Sequence, residues 1–131
     1  MSARGTTMDK TVSDIGQIAV TVSDVAKALA FYRDALGLAY LFSPAPTLAF
    51  LQAGTVRLML STPQGAGTVG GNSVLYFKVA DIEAVFATIV ARGAAQERAP
   101  QLAARLPDHE LWIGFVRDPD GNLVGLMEEK R

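Results

Sequence analysis

The feature that most constrains this chain is a pattern that occurs twice, once in each half. The segment VTVSDVAKALA around Asp24 aligns with FKVADIEAVFA around Asp81, a shift of 57 positions. Each copy predicts a strand, an aspartate that caps a helix, and apolar residues at helical spacing. Any two amphipathic strand-helix units share some of this likeness. Because the helix stop and three later extended segments also recur, we interpret the pattern as an internal duplication.

The first half predicts one strand, one helix and then three strands. Apolar residues alternate over residues 15–22 and then recur at helical spacing as far as Gly37, a residue type that commonly ends helices. Beyond this glycine, prolines and another glycine divide the chain into three extended segments, residues 38–42, 47–52 and 56–61.

The second half predicts the same order. A strand at residues 74–79 precedes a helix that begins after Asp81 and ends at Gly93. The three later strands are expected at residues 95–106, 111–117 and 123–128. The last two are joined by DPDGN, whose proline and glycine favour a tight hairpin turn.

The length of 131 residues is sufficient for one hydrophobic core and predicts a single domain over residues 13–131. Residues 1–12 are expected to be a disordered leader. Module one would occupy residues 13–62 and module two residues 73–131, with the glycine-rich residues 63–72 as a flexible linker between them.

Composition excludes several function classes. The chain contains no cysteine, which rules out disulfides, thiolate zinc sites and a cysteine nucleophile. A formal net charge of -1 provides no basic surface for nucleic acid, so we expect no such partner. Since neither a signal peptide nor an apolar run long enough for a bilayer is present, we expect a cytoplasmic protein without membrane contact.

The repeated βαβββ order resembles the vicinal oxygen chelate superfamily of glyoxalase I, bleomycin-resistance proteins and extradiol dioxygenases. The segments that carry the resemblance are IAVTVSDVAKALAFYRDALGL, LYFKVADIEAVFATIVARG and FVRDPDGNLVGLMEE. A narrower likeness, in IGQIAV, VRLML, LYF and HELW, is to a bacterial branch of this group. The resemblance implies an α+β fold in which two tandem βαβββ modules form a half-barrel around a cavity, and it implies a homodimer.

The resemblance also implies where a metal would bind, because family members place His, Gln or Glu ligands at four strand positions. These positions fall on Gln17, Leu58, Val74 and Gly125, and only Gln17 offers a donor. We therefore expect no usual four-ligand metal site and no confidently assigned cofactor. Gln17 and His109 are the weak candidates for an atypical divalent metal, which this pattern does not favour.

His109, the single histidine, is the candidate catalytic residue. An imidazole exchanges a proton near neutral pH, so it could be a general base or a replacement ligand at the cavity rim. The alternative is a partly exposed side chain that follows the turn at Pro107 and Asp108 and contacts nearby backbone.

Arg57 interrupts the apolar strand TVRLMLS, where a charge is costly unless it is paired or at an edge. One interpretation is that its guanidinium binds a carboxylate or phosphate of a ligand. It can equally pair with an acidic residue of a second chain, and strand parity allows it to point away from the cavity.

Strand parity predicts further ligand contacts. The residues expected to face the cavity are Gln17, Ala19, Thr21, Val74, Tyr76 and Lys78. Among these, Gln17, Tyr76 and Lys78 carry polar groups for a ligand, and Trp112 adds an indole that can stack on a planar one. The alternative for Tyr76 and Trp112 is an ordinary place in the core.

Three functions stay open at this point. The first is capture of a small organic molecule, as in bleomycin-resistance proteins, and the missing metal donors favour it. The alternative is a lyase or isomerase of the glyoxalase or dioxygenase type that uses Gln17 and His109 with or without a divalent metal. The third is a structural or regulatory subunit whose cavity has closed around Leu58, Val74 and Met127.

Overall fold

The computed structural model describes residues 11–63 and 67–131, which form two four-stranded sheets with a helix on each. The elements are β1 (Gln17–Thr21), α1 (Val25–Leu29) with its π-helical continuation (Ala30–Ala35), β2 (Ala39–Ala45), β3 (Leu48–Ala53), β4 (Val56–Ser61), β5 (Leu75–Lys78), α2 (Ile82–Ala91), β6 (Ala95–Arg105), β7 (Glu110–Arg117) and β8 (Leu123–Lys130). The predicted α+β fold with two βαβββ modules is confirmed, and the sheets do not close into a barrel. Most of the expected leader, residues 1–10, and linker residues 64–66 lie outside the described residues.

The two sheets have the same topology. Their strand orders are β1-β4-β3-β2 and β5-β8-β7-β6. In each module the first strand pairs in parallel with the last, and the other neighbours are antiparallel. The duplication seen in the sequence is thus a duplication of the whole module.

The helix caps agree with the sequence prediction, but the geometry of the first helix differs from it. The carboxylates of Asp24 and Asp81 accept hydrogen bonds from the backbone N–H groups of Lys27 and Ala84, at 3.1 and 3.2 Å. These bonds satisfy amides that a first helical turn leaves free. The sequence predicts a regular first helix, but the second half of this helix is π-helical.

The strand β2 extends further than predicted. The sequence predicts that this strand ends at residue 42, before Pro44. In the structure the strand continues through this proline to Ala45. Because β2 is the outer strand of its sheet, one missing N–H costs less there than in a central strand. The pairing with β3 shifts register between Phe42 and Ala45.

Each sheet has one face that packs beneath the helices and one face that carries no helix. Buried residues of both helix-covered faces join one core: Val20, Ala49, Leu51, Leu58, Leu60, Val116, Val124 and Leu126, with Val25, Phe31, Ile82, Phe86 and Ile89 from the helices. We call the opposite sides the helix-free faces. The first is defined by Gln17, Phe42, Phe50, Arg57 and Met59, and the second by Tyr76, Lys78, Phe115, Gly125 and Met127.

The modules are joined through a buried carboxylate in the DPDGN turn. Asp118 is 5% exposed and accepts a hydrogen bond of 2.7 Å from the Tyr32 hydroxyl. It also accepts from the backbone N–H groups of Asp120 and Asn122 and from the Asn122 side chain. Burial, and then the Asp118 charge, raise the pKa of Tyr32 above its ordinary value, so the hydroxyl remains a donor.

Two further contacts hold the modules at the same place. The Ser23 backbone N–H and hydroxyl both donate to the Asp120 carboxylate, at 3.0 and 2.6 Å. Asn72, in the predicted linker, accepts from the Thr21 N–H and donates to the Thr21 carbonyl and to Asn122. The described end of the linker is therefore anchored to β1.

No helix within residues 11–63 or 67–131 is both long and apolar enough to span a bilayer.

Candidate ligand-binding faces

The first helix-free face brings together Gln17 and Arg57, two candidates that the sequence did not connect. The residues are partners in the β1–β4 register, and Arg57 Nε donates to Gln17 Oε1 at 2.9 Å. The Arg57 guanidinium lies 5.3 Å from the centroid of the Phe50 ring. The Phe50 ring in turn lies 4.9 Å from that of Phe42. The face therefore joins an oriented cation to an aromatic surface.

The second helix-free face is built around Tyr76. Its ring covers Gly125, so closely that a Cβ on this glycine would lie 2.6 Å from the ring. The Tyr76 and Phe115 rings are 5.8 Å apart in an edge-on arrangement, and the Arg98 guanidinium lies 5.1 Å from the Phe115 centroid. Lys78 Nζ is 4.0 Å from a carboxylate oxygen of Glu129, a contact at the limit of an ion pair.

A groove of about 520 Å³ runs along the edge strand β5. Its walls are mainly apolar and consist of Ile18, Leu38, Ala53, Gly54, Val56, Leu58 and residues 74–78. Tyr76 and Lys78 are among these lining residues. Gln17 and Arg57 are not, because their neighbours Ile18 and Leu58 occupy the other face of β1 and β4.

Trp112 lies on the opposite side of its sheet from Tyr76. It shares strand parity with the buried Val116 and packs against the core. Its indole N–H donates to Glu110 Oε1 at 3.1 Å, and the Lys130 ammonium lies 4.6 Å from the ring centroid. The structure therefore does not bring Trp112 together with the other predicted ligand contacts.

His109 precedes β7 and lines a different cavity from the groove along β5. Its side chain is 13% exposed, and Nδ1 lies 2.7 Å from Asp108 Oδ1. Hydrogen bonds from Arg131 and then from His109 lower the pKa of Asp108 to about 2. The cavity that His109 lines is shallow and lies beside Arg105 and Lys130. The imidazole is thus held by a carboxylate at a turn, away from Gln17.

The acidic residues near the end of β8 have local partners. Glu128 Oε1 accepts from the backbone N–H of Ile82 at 2.9 Å and so caps α2, next to Asp81 and Glu83. Glu83 pairs with Lys130. These contacts account for the cluster as a helix cap with an ion pair.

The four positions that the resemblance assigns to metal ligands do not fit a divalent ion. The Gln17 amide oxygen is engaged by Arg57, and the Tyr76 ring fills the space above Gly125. Leu58 is matched to a ligand position by counting from the preceding turn, and this match is wrong. Leu58 is 2% exposed beneath the helix, whereas Met59 pairs with Ala19 as Gly125 pairs with Tyr76. A thioether is a poor ligand for a hard divalent ion.

Several residues of these faces were not predicted from the sequence, namely Phe42, Phe50, Met59, Arg98 and Phe115. They lie on β2, β3, β4, β6 and β7, and of these strands only β4 pairs directly with a strand that parity assigned to the cavity. The alternation of side chains within β3 and β7 indicates that each strand has two different faces. Only the pairing register shows which residues of these strands share a face with Tyr76 or Gln17.

These two modules, each with one helix-free face and both with residues in a shared core, define the class of fold to which the chain belongs. Residues 14–126 match the family model of the Glyoxalase/Bleomycin resistance protein/Dioxygenase superfamily. The chain is a member of this superfamily, which confirms the resemblance inferred from its sequence.

Several solved structures share this fold. A lactoylglutathione lyase from Agrobacterium tumefaciens has 27% identity and a TM-score of 0.73, with 91% of this chain and 96% of that one covered. An antibiotic binding protein from Streptomyces has 24% identity and a TM-score of 0.75, covering 93% and 100%. A glyoxalase-related enzyme from Fulvimarina pelagi has 21% identity and a TM-score of 0.72, covering 89% and 88%. Among curated protein sequences, none matches this chain.

Proposed function

We propose that this chain captures a small organic molecule against its helix-free faces, without the metal ion that enzymes of its family use. One observation carries the proposal: the Tyr76 ring covers Gly125, where the resemblance implies a metal ligand, and leaves an exposed aromatic surface instead. Tyr76 is 49% exposed and Phe42 is 47% exposed. Large aromatic side chains in such positions commonly mark a surface that is covered by a ligand or a partner.

The chemistry of the two faces supports a binding role. Aromatic walls with a few fixed polar groups are typical of sites for small molecules. Phe50 and Phe115 provide the walls, and Gln17 with Arg57 provides polar groups held in place by a hydrogen bond. An antibiotic binding protein with the same fold is an example of such a role in this architecture.

The second candidate function is a lyase or isomerase of the glyoxalase type. The likeness to a lactoylglutathione lyase favours it. Its proposed residues do not work together, however, since Gln17 bonds to Arg57 and His109 bonds to Asp108 at another site. The third hypothesis, a closed cavity, is opposed by the open groove and by Val74, which is exposed.

Binding of a ligand and absence of a metal are tested together by calorimetry. We expect nickel, zinc, manganese and iron(II) to show no stoichiometric site, and an aromatic compound library to yield saturable binding without turnover. A hit on the first face should have its Kd raised at least tenfold by Phe50→Ala, and a hit on the second face by Tyr76→Ala, a loss of about 1.4 kcal/mol or more in either case. Trp112→Phe, on the helix-covered side, is the matched control and should leave the Kd within twofold. A tight metal site that Gln17→Ala removes would instead favour the lyase or isomerase.

We also propose that the chain forms a homodimer through the edge of the first sheet. The outer strand β2 exposes three consecutive large apolar residues, Tyr40, Leu41 and Phe42. An exposed apolar edge strand is a ready surface for association, and the net charge of -1 presents little repulsion between copies.

Light scattering at known concentration tests the dimer. We expect a mass near twice that of one chain, and Leu41→Glu should shift it to that of the monomer because a charge would be desolvated at the contact. Leu106→Glu places the same charge at another exposed leucine, in the β6–β7 connection, and should leave the mass unchanged. A monomeric wild type would contradict the proposal.

A further inference from the structure

The surroundings of Arg57 differ from those of most other arginines in the structure. Arg33, Arg105, Arg117 and Arg131 each pair with a carboxylate. For Arg57, no carboxylate oxygen of the described residues lies within 4.0 Å of the guanidinium. Its charge is therefore uncompensated within residues 11–63 and 67–131, although it lies on a face with large apolar side chains.

The guanidinium is also oriented. Gln17 accepts only from Nε, at 2.9 Å, and the Phe50 ring lies 5.3 Å from the guanidinium carbon. Within the described ranges, the two terminal nitrogens of Arg57 have no hydrogen-bond partner. A guanidinium fixed at Nε presents this pair of terminal nitrogens as a fork, the geometry that binds both oxygens of a carboxylate.

The surface next to the fork is apolar. The Phe50 and Phe42 ring centroids lie 4.9 Å apart with the ring planes tilted by 31°, and Met59 is the register partner of Phe50 on the same face. A ligand that contacts both parts would carry an anionic group at one end and a planar apolar body at the other. Gln17, which matches a metal-ligand position by resemblance, serves here to orient the arginine.

We infer that the captured molecule is an aromatic carboxylate whose anionic group is bound by Arg57 in place of a metal ion. The inference rests on the proposed function and adds the chemical class of the ligand. Arg57 selects for charge, and Phe42 and Phe50 select for a planar body. Removal of the charge from Arg57 or from the ligand should therefore reduce affinity. Because Arg57 is exposed, its substitution should leave the fold intact.

Calorimetric titration of the full chain with 2-naphthoate and with its neutral counterpart 2-naphthamide tests this. We expect saturable binding of the carboxylate, at least tenfold tighter than that of the amide. Arg57→Gln should abolish this preference, and Arg57→Lys should keep part of it because a lysine is a point charge without the fork. Arg105→Gln removes the same charge from an exposed ion pair elsewhere and should change neither affinity.

Other outcomes overturn the inference in distinguishable ways. If both probes bind equally, or if Arg57→Gln leaves the naphthoate Kd within twofold, the ligand class is wrong, while a dependence on Phe50 would still support capture. If Arg98→Gln rather than Arg57→Gln removes the preference, the anion binds on the other sheet. If Arg57→Gln dissociates the dimer, the arginine pairs with a second copy of the chain. If neither probe binds, both the inference and capture of aromatic molecules fail.

Discussion

Replacement of Asp118 by alanine is expected to lower the free energy of unfolding by about 3–5 kcal/mol, the largest single effect we predict for this chain. The carboxylate is 5% exposed and accepts hydrogen bonds from Tyr32, Asp120 and Asn122. Alanine would leave these buried donors without an acceptor, which costs more than the net value of the bonds themselves. Equilibrium unfolding in urea, followed by circular dichroism, measures the change.

Tyr32→Phe isolates the bond between the modules. It removes one hydroxyl and keeps the ring, so we expect a loss of about 1.5–3 kcal/mol, the usual value for a hydrogen bond to a charged group. Asp34→Ala is the matched control for Asp118→Ala, since this exposed carboxylate pairs with its neighbour Arg33 and with no other cation of the described residues. If Asp118→Ala costs no more than Asp34→Ala, the buried carboxylate does not stabilise the junction of the modules.

Gly114→Val should destabilise the second module by about 3 kcal/mol, the upper part of the range for overpacked cores. A Cβ at Gly114 would already lie 3.1 Å from the Phe86 ring and 3.2 Å from the backbone nitrogen of Pro100. Phe86 is a buried core residue of α2, and Pro100 belongs to the paired strand β6. Neither can move aside without disturbing the packing of the helix on the sheet. Thermal and urea unfolding both report the loss.

Gly125→Ala provides a contrast at a shorter distance. Its Cβ would meet the Tyr76 ring at 2.6 Å, yet that ring is 49% exposed and can rotate away. We expect a loss of only about 1 kcal/mol, and little or none in a Tyr76→Ala background, because the two sites are coupled. Equal losses for Gly125→Ala with and without Tyr76 would contradict a close contact between this ring and the glycine.

Much of the fold can be predicted from the sequence because its signals are local. The duplicated pattern, the caps at Asp24 and Asp81, and the DPDGN turn depend on residues within a few positions of one another. The structure confirms the order of all these elements. The continuation of β2 through Pro44 was not predicted. Proline commonly ends a strand, but an outer strand tolerates it because one edge of that strand is unpaired.

The candidate site depends on contacts that no local pattern specifies. Gln17 and Arg57 meet because β1 and β4 pair in one register, and a shift of one residue would place them on opposite faces. The same long-range pairing puts Trp112 under α2 rather than beside Tyr76. From the sequence, Arg57 could lie on either face of its strand.

The sequence by itself determined the duplicated architecture, the helix caps and the side chains without a donor at Val74 and Gly125, two positions that the resemblance assigns to metal ligands. Only the tertiary structure decided that Met59 rather than Leu58 lies on the helix-free face, that Tyr76 covers Gly125, and that the hydroxyl of Tyr32 joins the modules through Asp118. The physical reason is that side-chain identity is encoded residue by residue. The face a strand residue occupies and the partner it meets are set by strand pairing and packing between distant segments.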